Sequence, residues 1–88
     1  MAKDKLYKFN VYIKGKNINK SFDFVSENKD VAFQEAMDKF VVLVTELTGD
    51  TITDDLYTKY TNMLNNGKLP HKVRGHILNI RDVTDYGI

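Results

Sequence analysis

LYKFNVYIKGKNINKSFDF, residues 6–24, decides the fold. From Leu6 to Lys14 the residue types alternate, with Tyr7, Phe9, Val11 and Ile13 on one side and Lys8, Asn10, Tyr12 and Lys14 on the other. A period of two marks a strand with one buried face. Gly15-Lys16-Asn17 supplies residues that tolerate positive φ, and a second alternating run places Ile18, Phe22 and Phe24 on one face, so the stretch predicts a β-hairpin. Its aromatic residues Tyr7, Phe9, Phe22 and Phe24 are expected as cross-strand core pairs rather than as a ligand box.

Beyond Val25 the period changes. Ala32, Phe33, Ala36, Met37, Phe40, Val44 and Leu47 recur at the three- and four-residue spacing of one helix face. Ser26 or Asn28 is placed to cap the first turn and Gly49 to end the helix in the left-handed conformation. Within it Val41-Val42-Leu43-Val44 is rich in β-branched residues and suits a buried strand by its own preference, while the flanking spacing favours the helix. A second helix is predicted from Thr53, with the Thr53 hydroxyl as cap and Ile52 stapled to Tyr57. Leu56, Tyr57, Tyr60, Met63 and Leu64 form its buried stripe, Asn65-Asn66-Gly67 stops it, and Pro70 keeps it from resuming. Alternation returns from Arg74 to Val83, with His76, Leu78 and Ile80 on one face and Ile77, Asn79 and Arg81 on the other. This third strand is expected to pair with the hairpin, since its backbone groups need partners. The tail from Thr84 to Ile88 is short, and Tyr86 and Ile88 either fold back or fray. The predicted architecture is α+β, in the order ββααβ: a three-stranded, mostly antiparallel sheet with two helices packed on one face.

With 88 residues the chain is expected to form a single domain, 1–88, and its 42% apolar and 28% charged residues fit a folded chain rather than a disordered one. The absence of cysteine removes disulfides and thiolate metal sites, and no apolar run approaches the length of a membrane span, so the expected setting is cytoplasmic with no membrane partner. Catalytic chemistry finds few residues. Ser21 and Ser26 read as a strand residue and a helix cap, while His71 and His76 lack a third ligand at metal-binding spacing. Asp50, Asp54 and Asp55 lack the oxygen-ligand pattern of a calcium loop and suit a helix N-terminus. No glycine-rich phosphate loop is present. The expectation is a protein that is not an enzyme and uses no cofactor or metal.

Charge is unevenly spread. Residues 1–20 carry six lysines (Lys3, Lys5, Lys8, Lys14, Lys16 and Lys20) against Asp4. Residues 21–67 carry nine acids against Lys29, Lys39 and Lys59, and residues 68–88 carry Lys68, Lys72, Arg74 and Arg81 against Asp82 and Asp85. On the predicted fold the basic charge collects on the sheet and its loops, and the acidic charge on the helices.

The uncovered sheet face would then present Lys8, Asn10, Tyr12, Lys14, Asn79 and Arg81, with Leu6 and Ile77 among them. In size, lack of cysteine and richness in lysine, asparagine, aspartate and threonine, the chain is similar to accessory proteins encoded by bacteriophages of low-GC hosts. A small regulatory or inhibitory module acting by protein–protein contact is the leading expectation. Leu6, Tyr12 and Ile77 would be its anchors, with Lys8, Lys14, Lys72, Arg74 and Arg81 steering association. The alternative is a nucleic-acid binder using the same basic face and the Lys68–His76 loop, with cations for phosphate and Tyr12 for stacking. A macromolecular partner is expected in either case, protein ahead of nucleic acid, and monomer and dimer stay open.

Overall fold

The computed structural model of the protein describes residues 6–85. Its elements are β1 (Tyr7–Lys14), β2 (Asn19–Ser26), α1 (Lys29–Thr48), α2 (Asp54–Asn65), β3 (His71–Val73) and β4 (His76–Asp82). The strands form one sheet in the order β2-β1-β4-β3, and every neighbouring pair is antiparallel. The α+β class and the covering of one sheet face by helices are as the sequence predicts, but the sheet has four strands rather than three.

The additional strand is His71-Lys72-Val73, inside the segment expected to be a loop. It is joined to β4 by the two-residue turn Arg74-Gly75, whose φ angles of 50° and 82° are both left-handed. Such turns match the right-handed twist of the strands they connect, so β4 begins at His76 rather than at Arg74. Tyr86 and Ile88, for which a folded-back or frayed tail was expected, lie outside the described residues, as do Lys3, Asp4 and Lys5.

α1 crosses the covered face, which is lined by Phe9, Val11 and Ile13 of β1, Leu78 and Ile80 of β4 and Val73 of β3. Ala32, Ala36, Met37, Phe40, Val41 and Val44 meet them from the helix, all nearly devoid of solvent exposure. Val41-Val42-Leu43-Val44 is therefore helical. The strand preference of a valine is worth about 0.5 kcal/mol, whereas full burial of an aliphatic side chain is worth roughly 1.5–3 kcal/mol, so packing decides. Asn28 caps the helix, its Oδ1 accepting from the N–H groups of Asp30 at 2.8 Å and Val31 at 3.2 Å. Ser26 Oγ accepts from Asn28 N–H one step earlier. Gly49 ends the helix at φ 81°, donating to Thr45 O.

α2 packs on α1 and touches the β3 edge of the sheet through Tyr60 and His71. Tyr60 is its buried residue, making edge contacts with Phe40 at 5.2 Å and a tilted contact with His71 at 5.4 Å. Leu56, Tyr57, Met63 and Leu64 are half-buried against the core. Two expected devices at its start are not formed. The Thr53 side chain caps nothing, and the helix opens instead on a main-chain bond from Leu56 N–H to Thr53 O. Ile52 remains 44% exposed, too open to act as a staple. With Asp54 and Asp55 in the first turn, the helix dipole is offset by charge rather than by a hydroxyl.

The hairpin register pairs Phe9 with Phe24 and Val11 with Phe22, while Tyr7 faces Ser26. Phe9 makes its ring contact across the layers, with Phe33 of α1 at 5.6 Å. Past β4 the pairing with β1 continues through a side chain. Val83 N–H donates to Lys8 O, and Lys8 N–H donates to the hydroxyl of Thr84, which stands where a main-chain acceptor would be. Among the described residues no helix is long and apolar enough to cross a membrane.

Candidate functional site

The side chains that β1 turns away from the core lie on a face that no described element covers. The strand pairing sorts this face into transverse rows. Val25 and Lys8 stand together near one end. The next two rows are Asp23, Asn10 and Arg81, then Ser21, Tyr12 and Asn79. The row nearest the hairpin tips is Asn19, Lys14, Ile77 and Lys72. Lys8, Lys14, Lys72 and Arg81 are exposed, and Tyr12 and Ile77 are half-buried.

Asn10 organises the middle of the face. It is only 8% exposed although it points away from the core. Its amide donates to Ser21 Oγ at 2.7 Å and to Asp23 Oδ1 at 2.8 Å, and its Oδ1 receives Arg81 Nη2 at 3.4 Å. The one acid in these rows is thus engaged by a neutral amide, and Arg81, bonded to the same side chain, leans over Tyr12 with its guanidinium carbon 5.5 Å from the ring centroid. Lys14 Nζ lies 5.8 Å from the same centroid. At these separations a cation is attracted to the ring, so Tyr12 is flanked by positive charge on a strand central to the sheet.

The two ends of the face differ. At the strand end carrying Leu6, a shallow cleft is lined by Leu6, Lys8, Val25, Val83 and Asp85. Leu6 and Val25 are 55% and 47% exposed, and both belong to the few large apolar side chains that the described residues leave open to water. At the other end, the tips of the two hairpins form clefts in which Lys16, Lys72 and Arg74 are the charged residues. Of the residues singled out from the sequence, Lys8, Tyr12, Lys14, Lys72, Ile77 and Arg81 fall on this one face. Leu6 sits at one end, and Arg74 in the turn beyond the other. Sequence reasoning did not single out Val25, Val83 or Lys16 as contact residues, and although it placed Asn10 on this face and His76 in the basic loop, it gave neither a role in the contact. Val25 was within reach, because alternation from Phe22 and Phe24 sends it to the side of Lys8.

The carboxylates gather on the helical side, where Asp30, Glu35, Asp38, Glu46, Asp50, Asp54 and Asp55 are all exposed. That side also holds the perturbed ionisable groups. Burial, then Lys59, lowers the His71 pKa from its usual 6.5. Burial, then Asp50, raises that of Tyr60 above 10.0, and a hydrogen bond to Asp38 raises that of Tyr57. Among the described residues no group of three or more His, Asp or Glu is placed to hold a metal ion. No protein family, curated protein or solved structure matches the chain.

Proposed function

We propose that the protein is a small non-enzymatic regulatory or inhibitory module that contacts another protein through the open face of its sheet. The carrying observation is that an apolar patch, exposed Leu6 and Val25 with half-buried Val83, lies on the same uncovered face as Tyr12 and the exposed cations Lys8, Lys14, Lys72 and Arg81. Apolar side chains grouped in the open and rimmed by charge are the composition of a protein-binding surface. Tyrosine and arginine stacked together are typical of residues that dominate binding energy. The partner's chemistry follows: an acidic surface with an apolar spot, attracted by the cations and repelled by the carboxylates on the helices.

The nucleic-acid alternative draws on the same cations but accounts less well for the face. Sheet-based readers of single strands stack two or three bases on aromatic rings. The rows here hold Tyr12 alone, and its surroundings are taken by Lys14 and Arg81.

The test is affinity capture from a lysate of the source organism by immobilised wild-type protein and by Leu6→Asp, Tyr12→Ala and Arg81→Glu variants, each with and without nuclease. The expected result is a protein retained in both arms by the wild type, with Tyr12→Ala weakening its binding by about 2 kcal/mol once the pair is purified. Retention that disappears with nuclease, or that ignores all three substitutions, overturns the reading.

A further inference from the structure

The tips of the two hairpins meet at the end of the sheet away from Leu6. Gly15 N–H donates to Ile18 O at 2.7 Å, which closes the first tip tightly. His76 of the second hairpin lies against it. A Cβ at position 15 would come within 2.5 Å of His76 Cδ2 and 2.9 Å of Nε2, so the imidazole occupies the space that glycine leaves. The ring is held from its other side as well: Nδ1 lies 3.2 Å from Arg74 O, and since a carbonyl oxygen only accepts, Nδ1 carries the proton of that bond.

Two clefts adjoin at this junction. One is lined by Lys16, Asn17, Ile18, Arg74, Gly75 and His76, and the other by Lys72, Arg74, Gly75, His76 and Ile77. They share the Arg74-Gly75 turn and contain three cations and no carboxylate. On the two hairpins the acids are Asp23 and Asp82, which pair with Asn10 and Phe9 several residues from the tips. Arg74 adds an independent observation. Its φ of 50° places a long side chain in the left-handed region, at a turn position that asparagine, aspartate or glycine fills without strain. A residue held there carries a cost that the surrounding structure offsets, and such costs cluster at functional sites.

The geometry points to a phosphate-binding site at the hairpin tips, with Arg74 central to both clefts and Lys16 and Lys72 on either side. This goes beyond the protein-contact reading and shares only Lys72 with it; its central residue, Arg74, and Lys16 lie outside that surface, so each fails separately. Guanidinium offers a planar fork to phosphate oxygens and lysine a point charge, which is why this residue pair suits phosphate.

The decisive variant is Arg74→Asn, because asparagine accepts the left-handed conformation and removes only the cation. Amide shifts are followed in the full-length protein during titration with inorganic pyrophosphate, with acetate at matched ionic strength as a control, and in a separate arm with a thymidine hexanucleotide. Pyrophosphate is expected to move the amides of residues 15–18 and 74–76 while acetate does not. Arg74→Asn should weaken this binding about tenfold, or about 1.4 kcal/mol, without loss of thermal stability, and Lys16→Ala should weaken it less. Tighter binding of the hexanucleotide, also sensitive to Arg74→Asn, identifies the phosphates as those of a nucleic-acid backbone. Pyrophosphate binding without it identifies a free or nucleotide phosphate. Unmoved tip amides, shifts equal to those from acetate, or unchanged affinity in Arg74→Asn overturns the site.

Discussion

The two faces of β1 are made from alternate residues of one strand, yet they solve different problems. On the covered face, Phe9, Val11 and Ile13 are at most 3% exposed and meet α1 through apolar contact alone. On the other, Lys8, Asn10, Tyr12 and Lys14 are arranged by polar and cation–ring contacts across β2 and β4. Water excluded from one side supplies stability, and among the described residues the other side carries no helix to pack against. Order on the open face is therefore maintained by directed bonds rather than by packing.

Substitutions on either side of β1 test this division. The largest effect is expected on the covered face, where Phe9→Ala should cost about 3–5 kcal/mol and lower the melting temperature by roughly 12 °C or more. Chemical denaturation measures it, and a loss below about 1 kcal/mol would mean that α1 does not rely on this face. A smaller effect is expected from Asn10→Ala. Ser21 and Asp23 can turn to water once their donor is gone, so the net cost is about 1 kcal/mol. The mobility of the Arg81 guanidinium, followed by NMR, should rise more clearly than stability falls. If Arg81 stays as ordered as before, Asn10 is not its organiser.

The smallest effect concerns pH and tests how dry the covered side is at its rim. His71 has a folded-state pKa below its unfolded 6.5, because burial and Lys59 disfavour the charged form. The unfolded chain therefore binds the proton first. Stability is fully present above pH 6.5 and declines as pH falls through 6.5 toward the lower folded value. Urea midpoints compared between about pH 7.5 and about pH 5 should fall more for the wild type than for His71→Gln. Equal slopes would show that the imidazole beside Tyr60 is well hydrated.

The covered face was the more legible in the sequence, and the reason is physical. Burial against one helix imposes a period of two on Phe9, Val11 and Ile13 and again on Leu78 and Ile80, and a period near 3.6 on Ala32 to Leu47. Each pattern is long enough to declare itself. β3 is not, since three residues cannot display an alternation, and its turn carries arginine where a turn-forming asparagine would have announced a hairpin. Thr53 misleads for a related reason: a hydroxyl at the right position signals a cap, but two aspartates in the next turn perform the electrostatic part of that role. For the open face, alternation told which residues share a side but not which neighbours they meet. That Asn10 is enclosed depends on the register of β1 against both neighbours, the hairpin partner β2 that supplies Ser21 and Asp23 and the distant β4 that supplies Arg81.

The pairing of β1 with β4 also sets the order in which the protein can be assembled. Phe9 sits opposite Asp82, and Lys8 bonds Thr84, 76 residues away, so the seam at the centre of the sheet joins segments distant in sequence. During synthesis the first hairpin and α1 emerge with one margin of β1 unsatisfied, and that margin stays vulnerable to foreign strands until β4 has left the ribosome. Contacts so distant in sequence close slowly. On this topology, closure of the sheet centre waits for β4 rather than for the local pieces formed earlier.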